Sequence, residues 1–441
     1  MNWLKNQIPR LSFEEKNAYA FSISSFLRNS IFLLATFIFA KRWSSQDLGD
    51  LEQFFFVYSL LPLFFYFPIT NSALVYYQKL DENQKPSFKN GLFFLVLIVS
   101  FTFASIWFLF PKIQYLFWPE SQSLNNYNLY VIILALQPFQ FLLGLFLFLD
   151  KKINLQVAFS LVSVFLTATF FILPTFYSLD QSWHLKGWIL ILIFQMLWAI
   201  VDNFSIFNFV FDKSIFKKFI KILIPYALYA ILAAIPLAGD NVLVNYLFQD
   251  KQIFAEFRLG IKELPFILLI SNTIHNIFVQ KISHEGLSAL PQLKSTSSKW
   301  YGMTIGISTM LFVFSHYLFV YYLQEKYKHS ELLFQMMLLL WISRFLFSQS
   351  VLAGMGHQRY FIFVGLIELI LNLVLSIGLG LTMGLPGVVL GTLIAFLAEK
   401  LIYVWILYKK YHIKIQDYMP IKHYAIGIIW LGILFIYFRI I

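Results

Sequence analysis

Thirteen long apolar stretches occupy most of this 441-residue chain, and short polar segments separate them. Each stretch has about 18–30 residues, which is enough for an α-helix to cross the bilayer's hydrocarbon core of about 30 Å. The sequence therefore predicts an all-α protein that crosses a membrane many times. The predicted spans are 18–40, 51–78, 89–111, 127–149, 155–178, 187–211, 219–248, 253–280, 300–323, 331–353, 360–382, 385–408 and 421–438.

The composition favours the same class and excludes several kinds of chemistry. Hydrophobic residues make up 59% of the chain and charged residues only 12%, about half the charged share of a typical soluble protein. The absence of cysteine excludes disulfides, thiolate metal sites and cysteine nucleophiles. The sequence has no nucleotide-binding glycine motif and no zinc-protease motif, and its histidines lack metal-ligand spacing. We therefore expect no catalytic residues, no metal site and no bound cofactor.

Lysine and arginine are distributed unevenly between alternate loops, and this asymmetry predicts the orientation. One set of loops holds 20 of the 33 basic residues, and the other set holds 8. Because basic loops stay on the cytoplasmic side, the N-terminus is predicted to be cytoplasmic. The net charge of +11 then belongs to these loops and to contacts with membrane lipids, so we expect no nucleic-acid partner.

A basic segment divides the chain into two halves. Residues 212–221 contain four lysines, and six predicted spans precede them. We predict an N-terminal six-helix bundle over 1–211, a C-terminal six-helix bundle over 222–410, and an extension over 411–441 that carries a thirteenth span.

The two halves look alike at one place. A short polar turn precedes span two and another precedes span eight, and each leads into a helix with an early glutamate, Glu52 or Glu256. A proline, Pro62 or Pro265, follows two to three turns later. Two copies with the same orientation are typical of a parallel repeat about an axis along the membrane normal, with a binding site between the halves.

Charged residues within the predicted spans are candidate functional residues. An ionisable group at bilayer depth costs about 2.5–3.5 kcal/mol and needs a partner or a watery cavity. Arg28, Arg344 and Glu368 lie near the middle of their spans, and Asp240 lies in the outer half of span seven. Snorkelling to the interface explains two acids near the cytoplasmic ends of their spans, Asp202 and Glu399.

Span eight carries two charged stripes when it is drawn as one continuous helix. Lys251, Arg258 and Lys262 fall within about 40° of one another at 100° per residue. Glu256 and Glu263 form a second stripe about 120–140° away. Such a helix cannot turn either stripe towards lipid.

Two interpretations of these charges remain open. In one, they form buried ion pairs, such as Asp240 with Arg258, that hold the bundle together. In the other, they line a cavity that binds an anion, because guanidinium groups donate bidentate hydrogen bonds to phosphate. The candidate anion-binding residues are Arg28, Arg258, Lys262 and Arg344, and the candidate charge partners or coupling residues are Asp240, Glu256, Glu263 and Glu368.

Several patches of the sequence resemble a known family. The run Leu352-Ala-Gly-Met-Gly-His-Gln-Arg-Tyr precedes span eleven, and Gly384-Leu-Pro-Gly-Val-Val-Leu-Gly-Thr opens span twelve, with Gly387 and Gly391 one turn apart. The turn Asp47-Leu-Gly-Asp precedes span two. These patches resemble the polysaccharide flippases of the multidrug/oligosaccharidyl-lipid/polysaccharide exporter superfamily.

The resemblance implies two six-helix bundles around a central cavity, and transport by alternating access without enzymatic activity. The implied substrate is an undecaprenyl-diphosphate-linked oligosaccharide, moved across the bacterial cytoplasmic (inner) membrane for the synthesis of O-antigen lipopolysaccharide or capsule. Glycosyltransferases and a polysaccharide polymerase are the implied partners. By position, Arg28 matches the cavity arginine of these flippases, and Asp240 and Arg258 match charged positions at the start of the second half.

Two other functions remain open at this stage. A multidrug exporter of the same superfamily, coupled to Na⁺ or H⁺, would favour cavity acids, whereas the central charge of span one is Arg28. A membrane glycosyltransferase or polysaccharide polymerase would need a sizeable outer loop with catalytic residues. The longest outer loop, about 112–126, has one acid and one base. The sequence does not distinguish Na⁺, H⁺ and the membrane potential as the energy source.

Overall fold

The structure is a computed structural model that describes residues 13–77, 79–202, 212–262, 265–323, 325–357 and 359–440. The fold is 89% helical and has no strand in these ranges, and helices overlap all thirteen predicted spans, so the prediction of an all-α membrane protein is confirmed. The helices are α1 (Phe13–Arg42), α2 (Ser45–Leu61), α3 (Phe67–Tyr77), α4 (Lys85–Leu109), α5 (Tyr127–Leu149), α6 (Ile153–Leu166), α7 (Gln181–Asp202), α8 (Lys213–Phe248), α9 (Lys251–Gly260), α10 (Pro265–Glu285), α11 (Leu290–His316), α12 (Lys328–Ser343), α13 (Ser348–Gly354), α14 (Arg359–Met383), α15 (Leu385–Tyr411), α16 (Ile415–Tyr418) and α17 (Ile421–Ile440).

Ten segments of the described residues are long and apolar enough to cross a membrane. One of them, Ile270–Tyr322, runs through a 3₁₀ turn at Gly286–Ala289 and covers parts of two predicted spans. Another is Ile421–Phe438 within α17, so the additional C-terminal helix has the length and apolarity of a span.

Two predicted spans are interrupted helices. The eighth consists of α9, which ends at Gly260, and α10, which begins at Pro265. Proline has no N–H to donate and disfavours helical geometry in the residue before it, so Pro265 favours a break at this point. The tenth span consists of α12 and α13. The expectation of one continuous helix over 253–280, on which the charged stripes were drawn, is therefore wrong.

Within the described ranges, three π-helical segments widen other helices. Pro62–Tyr66 joins α2 to α3, Thr167–Ile172 extends α6, and Tyr317–Tyr322 extends α11. The wide turn after α6 lies against Gly187 of α7, where an added Cβ would come within 1.9 Å of the Phe170 carbonyl oxygen. The close contact between these two elements therefore requires a glycine.

The chain divides into two compact units, Met1–Ile231 and Leu232–Ile441. In the first unit, apolar side chains of α3, α4, α5 and the start of α8 form a buried cluster that includes Tyr76, Phe88 and Phe219. The division falls within α8, ten residues after the basic segment 212–221. The domain boundaries given above from the sequence stay a prediction.

In the second unit, α14 and α15 form a closely packed hairpin. Gly384 turns the chain with a φ of +70°, a conformation that favours glycine. A Cβ at Gly387 would lie 2.0 Å from the Leu379 carbonyl oxygen, and one at Gly391 would lie 2.5 Å from the Ser376 nitrogen. These two glycines let the helix backbones approach closely, as the small residues one turn apart predicted.

The two predicted repeat copies begin in the same way. The Ser44 side chain caps α2 by accepting a hydrogen bond from the Asp47 N–H at 3.1 Å. The Asp250 side chain caps α9 by accepting one from the Gln252 N–H at 2.7 Å. Each helix then buries its early glutamate, Glu52 or Glu256. The first helix ends directly before Pro62, and the second ends five residues before Pro265. Both polar turns thus act as N-terminal caps.

Candidate functional site

Arg28 lies on α1 in the first unit, and its guanidinium contacts neutral groups. Nη1 donates a hydrogen bond to Ser160 Oγ at 2.9 Å, and Nη2 donates a longer one to Ser25 Oγ at 3.4 Å. The guanidinium carbon lies 4.8 Å from the centre of the Phe159 ring. Arg28 forms no ion pair with any described residue, and these contacts use two of its five N–H groups. A partly buried cation with spare donors is suited to bind an anion.

A ladder of buried polar groups between α1 and α6 positions Arg28. Ser24 Oγ and Ser160 Oγ donate to the Gln156 carbonyl oxygen at 3.2 and 3.0 Å. The Gln156 side chain donates to Asn17 Oδ1 at 2.9 Å. Gln156 and Ser160 are four residues apart on one face of α6, as Ser24 and Arg28 are on α1. The ladder therefore fixes the register between the two helices, and Arg28 is its last member.

Asp240 of α8 forms a second polar centre, with α14 and α15 in the second unit. It is 7% exposed. Thr392 Oγ1 donates to Asp240 Oδ2 at 2.5 Å and accepts from Asn372 Nδ2 at 3.1 Å. Thr392 Oγ1 and Ser376 Oγ each lie 3.2 Å from the Val388 carbonyl oxygen. One carboxylate and several neutral oxygens thus converge between three helices.

The other carboxylate oxygen of this centre, Asp240 Oδ1, is buried near Ser376 and Asn372 but accepts no hydrogen bond of normal geometry from the described residues. Leaving a buried acceptor unsatisfied costs about 1–3 kcal/mol, and more for a charged group. Carboxylate, hydroxyl and carbonyl oxygens are the ligands that hard cations prefer, and transporters bind Na⁺ or H⁺ with such groups in the membrane. This centre could therefore hold a small cation or a proton.

The ion pair between Asp240 and Arg258, one of the two interpretations of the charges, is not formed. Arg258 Nη1 instead donates to the side-chain oxygen of the next residue, Asn241, at 3.2 Å. Lys262 lies beyond the end of α9, so the basic stripe does not continue to it. Arg258 therefore contacts α8 at Asn241, whereas the Asp240 carboxylate accepts its hydrogen bond from Thr392.

Another group of charges in the second unit surrounds Lys400 and Glu399. Lys400 Nζ is 2.7 Å from Glu399 Oε2, and both side chains are buried. Glu368 lies within electrostatic range of both members of this pair, of Arg344 and of Asp240. The Arg344 guanidinium carbon and Lys400 Nζ lie 5.2 and 4.7 Å from the centre of the Phe396 ring. Snorkelling does not explain Glu399, because its carboxylate is buried against a lysine.

The remaining sequence candidates lie elsewhere. Glu256 is buried on α9, where Asp250, Lys328 and His329 are within electrostatic range. Glu263 lies outside the described residues. The Asp202 carboxylate pairs with Lys152 Nζ at 2.9 Å near the end of its helix. The candidates thus do not form one continuous charged surface along span eight.

Sequence reasoning missed the neutral partners of both polar centres, because Ser160 holds Arg28 and Thr392 holds Asp240. It also missed that Lys400 pairs with Glu399. For Ser160 a signal was present, because Gln156, Ser160 and Ser163 recur at helical spacing in an apolar span.

The fold is similar to that of a known lipid flippase. The structure matches "Lipid II flippase MurJ, inward closed conformation" with a TM-score of 0.65 and 18% sequence identity, over 95% of this chain and 92% of that chain. No protein-family profile matches the sequence, and no curated protein matches it at a significant level. At this identity the similarity establishes the fold alone.

Multidrug transporters share the same fold. An inward-facing MATE family transporter of the MOP superfamily matches with a TM-score of 0.59 and 13% identity, over 92% of this chain and 95% of that chain. The MATE transporter ClbM in complex with Rb⁺ matches with a TM-score of 0.55 and 13% identity, over 90% of this chain and 94% of that chain. MurJ and the MATE transporters both belong to the MOP superfamily. The chain therefore shares the fold of these transporters and flippases.

Proposed function

We propose that this protein is a flippase that moves an undecaprenyl-diphosphate-linked oligosaccharide across the bacterial cytoplasmic membrane by alternating access. The observation that carries the proposal is Arg28, a guanidinium in the middle of a membrane helix that contacts only neutral groups among the described residues. A diphosphate provides the counter-charge that the helix itself does not supply, and a guanidinium can bind it through two parallel hydrogen bonds.

The likeness to a lipid II flippase supports this substrate class, because that protein is named for moving a lipid-linked molecule. The polar ladder behind Arg28 supports it as well, since Ser160 holds the guanidinium in place before substrate binds. A preorganised donor loses less conformational entropy on binding. The product would serve O-antigen or capsule synthesis, with glycosyltransferases supplying the substrate and a polymerase consuming the product.

The Asp240 centre supports coupling of transport to a cation. Its unsatisfied buried oxygen and the hydroxyl of Thr392 provide ligands for Na⁺. A single carboxylate among neutral oxygens matches a monovalent ion in charge. Binding of this ion between α8, α14 and α15 would favour one of the two access states, because a ligand shifts an equilibrium by its differential affinity for the states.

Variants of Arg28 test the proposal. In cells that lack the chromosomal gene, Arg28→Ala should abolish export of the oligosaccharide and leave the lipid-linked form on the inner leaflet. Arg28→Lys should restore only part of the export, because an ammonium is a point charge and lacks the bidentate fork. Lys112→Ala, at an exposed base in an outer loop, is the matched control and should export normally. Normal export by Arg28→Ala, at normal protein levels, would refute the anion site.

A cation-coupled multidrug exporter is the second candidate, and the buried carboxylate of Asp240 is the observation that favours it. Acids inside a membrane suit cationic drugs as well as coupling ions. The two candidates differ in a direct measurement. Loss of the gene would sensitise cells to cationic drugs if the protein is an exporter, and would remove surface polysaccharide if it is a flippase.

A further inference from the structure

A groove of about 320 Å³ lies at one end of α14 and α15, in the second unit and away from the charges described above. Two cations, Arg359 and Lys410, stand at its rim. Lys410 Nζ donates to the Tyr360 hydroxyl at 3.1 Å, and Arg359 Nη2 donates to the same oxygen at 3.4 Å. One phenol therefore holds both cations within a few ångströms of each other.

These two cations lack a counter-charge in the described part of the chain. Neither Arg359 nor Lys410 forms an ion pair there, and no acidic residue lines the groove. Both also lie over the face of the Tyr360 ring, at 5.2 and 4.6 Å from its centre. The ring attracts cations weakly but does not neutralise them, so an anion between the two bases would gain from both.

The rest of the groove is apolar and open. Phe363, Ile402, Trp405 and Ile406 line it, and the side chains of Phe363 and Trp405 are more than half exposed. These four apolar side chains begin one helical turn from Arg359 and Lys410 and continue along the two helices towards the membrane interior. Cations above exposed aromatic and aliphatic surface match the anatomy of a lipid, with a charged head at the interface and acyl chains below.

We propose that this groove binds one anionic phospholipid, such as phosphatidylglycerol, with its phosphate between Arg359 and Lys410 and an acyl chain along Phe363 and Trp405. Basic pockets between membrane helices on the cytoplasmic side recognise such headgroups. The basic end of α15 is the end that the loop charges predict to be cytoplasmic. A soluble phosphate would use the two bases but not the apolar wall, which is why a lipid is the better occupant.

Native mass spectrometry of the purified full-length protein tests this site, with phosphatidylglycerol or phosphatidylethanolamine added at known ratios. The double variant Arg359→Gln/Lys410→Gln should bind the first phosphatidylglycerol about 30-fold more weakly, because each base near a membrane surface contributes about fivefold. The matched control is Lys409→Gln/Lys414→Gln. It removes the same charge at the same end of the protein, from exposed lysines outside the groove, and should stay within about twofold of the native protein.

The apolar wall has its own test. Trp405→Ala should weaken phosphatidylglycerol binding but leave inorganic phosphate binding unchanged. Equal losses in the control double variant, or equal affinity for phosphatidylethanolamine, would overturn the proposal in favour of unspecific attraction. Displacement of phosphatidylglycerol by undecaprenyl diphosphate at lower concentration would also overturn it, because the groove would then serve the transport substrate. Thermal unfolding of each variant checks that the exposed substitutions leave the fold intact.

Discussion

At the scale of single residues, the two polar centres carry opposite charges and keep opposite kinds of hydrogen-bonding group available. Arg28 is held by a hydroxyl and an aromatic ring, and keeps donors available for an anion. Asp240 is held by a hydroxyl and keeps one oxygen available for a cation. Each charge is neutralised only when something binds, because no described residue pairs with it. Insertion of either charge into a membrane is costly, and the binding roles proposed above would give each charge a partner.

We predict that Na⁺ stabilises the protein through Asp240. An ion that binds only the folded state at 100 times its Kd adds about 2.7 kcal/mol to the free energy of unfolding. The melting temperature of the native protein in detergent should therefore rise when NaCl replaces choline chloride at constant ionic strength. Asp240→Asn and Thr392→Ala should remove most of this rise.

The control for the sodium measurement is Glu256→Gln, which changes another buried acid of the same unit and should keep the sodium effect. If Asp240→Asn responds to NaCl as the native protein does, sodium does not bind at this centre. A rise in melting temperature with falling pH but not with NaCl would assign the centre to a proton.

Asp240 and Arg258 should behave as independent residues. They form no ion pair, so removing either one should not leave the other as a newly unpaired charge. In a double-mutant cycle of Asp240→Asn and Arg258→Gln, the coupling free energy should stay below about 0.5 kcal/mol. Thermal unfolding of the four proteins measures it. Recovery of stability or export in the double variant would show instead that the two charges compensate each other.

At the scale of elements, the glycines of α15 determine how the second polar centre is assembled. Because Gly387 and Gly391 bring α15 against α14, Ser376 and Asn372 of one helix reach Val388 and Thr392 of the other. Helices with larger side chains at these positions would be held further apart, and these hydrogen bonds would not form. The helix contact and the polar centre therefore depend on the same two positions.

Gly391→Ala should push α14 and α15 apart and lower the stability of the protein. Its Cβ would lie 2.5 Å from the Ser376 nitrogen, a backbone atom that cannot move aside alone. Overpacking of this kind costs about 1–3 kcal/mol, so the melting temperature should fall. Gly378→Ala on α14 is the matched control, because its Cβ would meet nothing within 4 Å, and it should melt at or above the native temperature. Similar melting of both variants would contradict the close contact.

Most elements could be predicted from the sequence because span length and hydropathy are local properties. The turn at Gly384 and the small residues after it were predictable for the same reason. The break between α12 and α13 was not, because no proline or glycine marks residues 344–347. Arg28 stood out as an isolated charge, but Ser160 is 132 residues away. Such partners depend on tertiary packing, which one sequence read along its length does not reveal.

At the scale of the whole molecule, the loop charges predict which side of the membrane each connection faces. Cysteines introduced one at a time at Lys151, Lys217 and Lys294 should be protected from an impermeant thiol reagent in intact cells. Cysteines at Lys112, Lys186 and Lys326 should react, and the chain has no cysteine of its own to confuse the labelling. Labelling of position 217 from outside would reverse the predicted orientation and move the lipid groove to the other leaflet.

The short connection between α14 and α15 bears on how the protein is made. A single residue, Gly384, separates the two helices, so their contacts join residues that are close along the chain. Local contacts form faster than distant ones because less loop entropy is lost. During synthesis this pair can therefore assemble without waiting for contacts with any later segment of the chain. Part of the Asp240 pocket would thus be completed while the nascent chain is still being inserted.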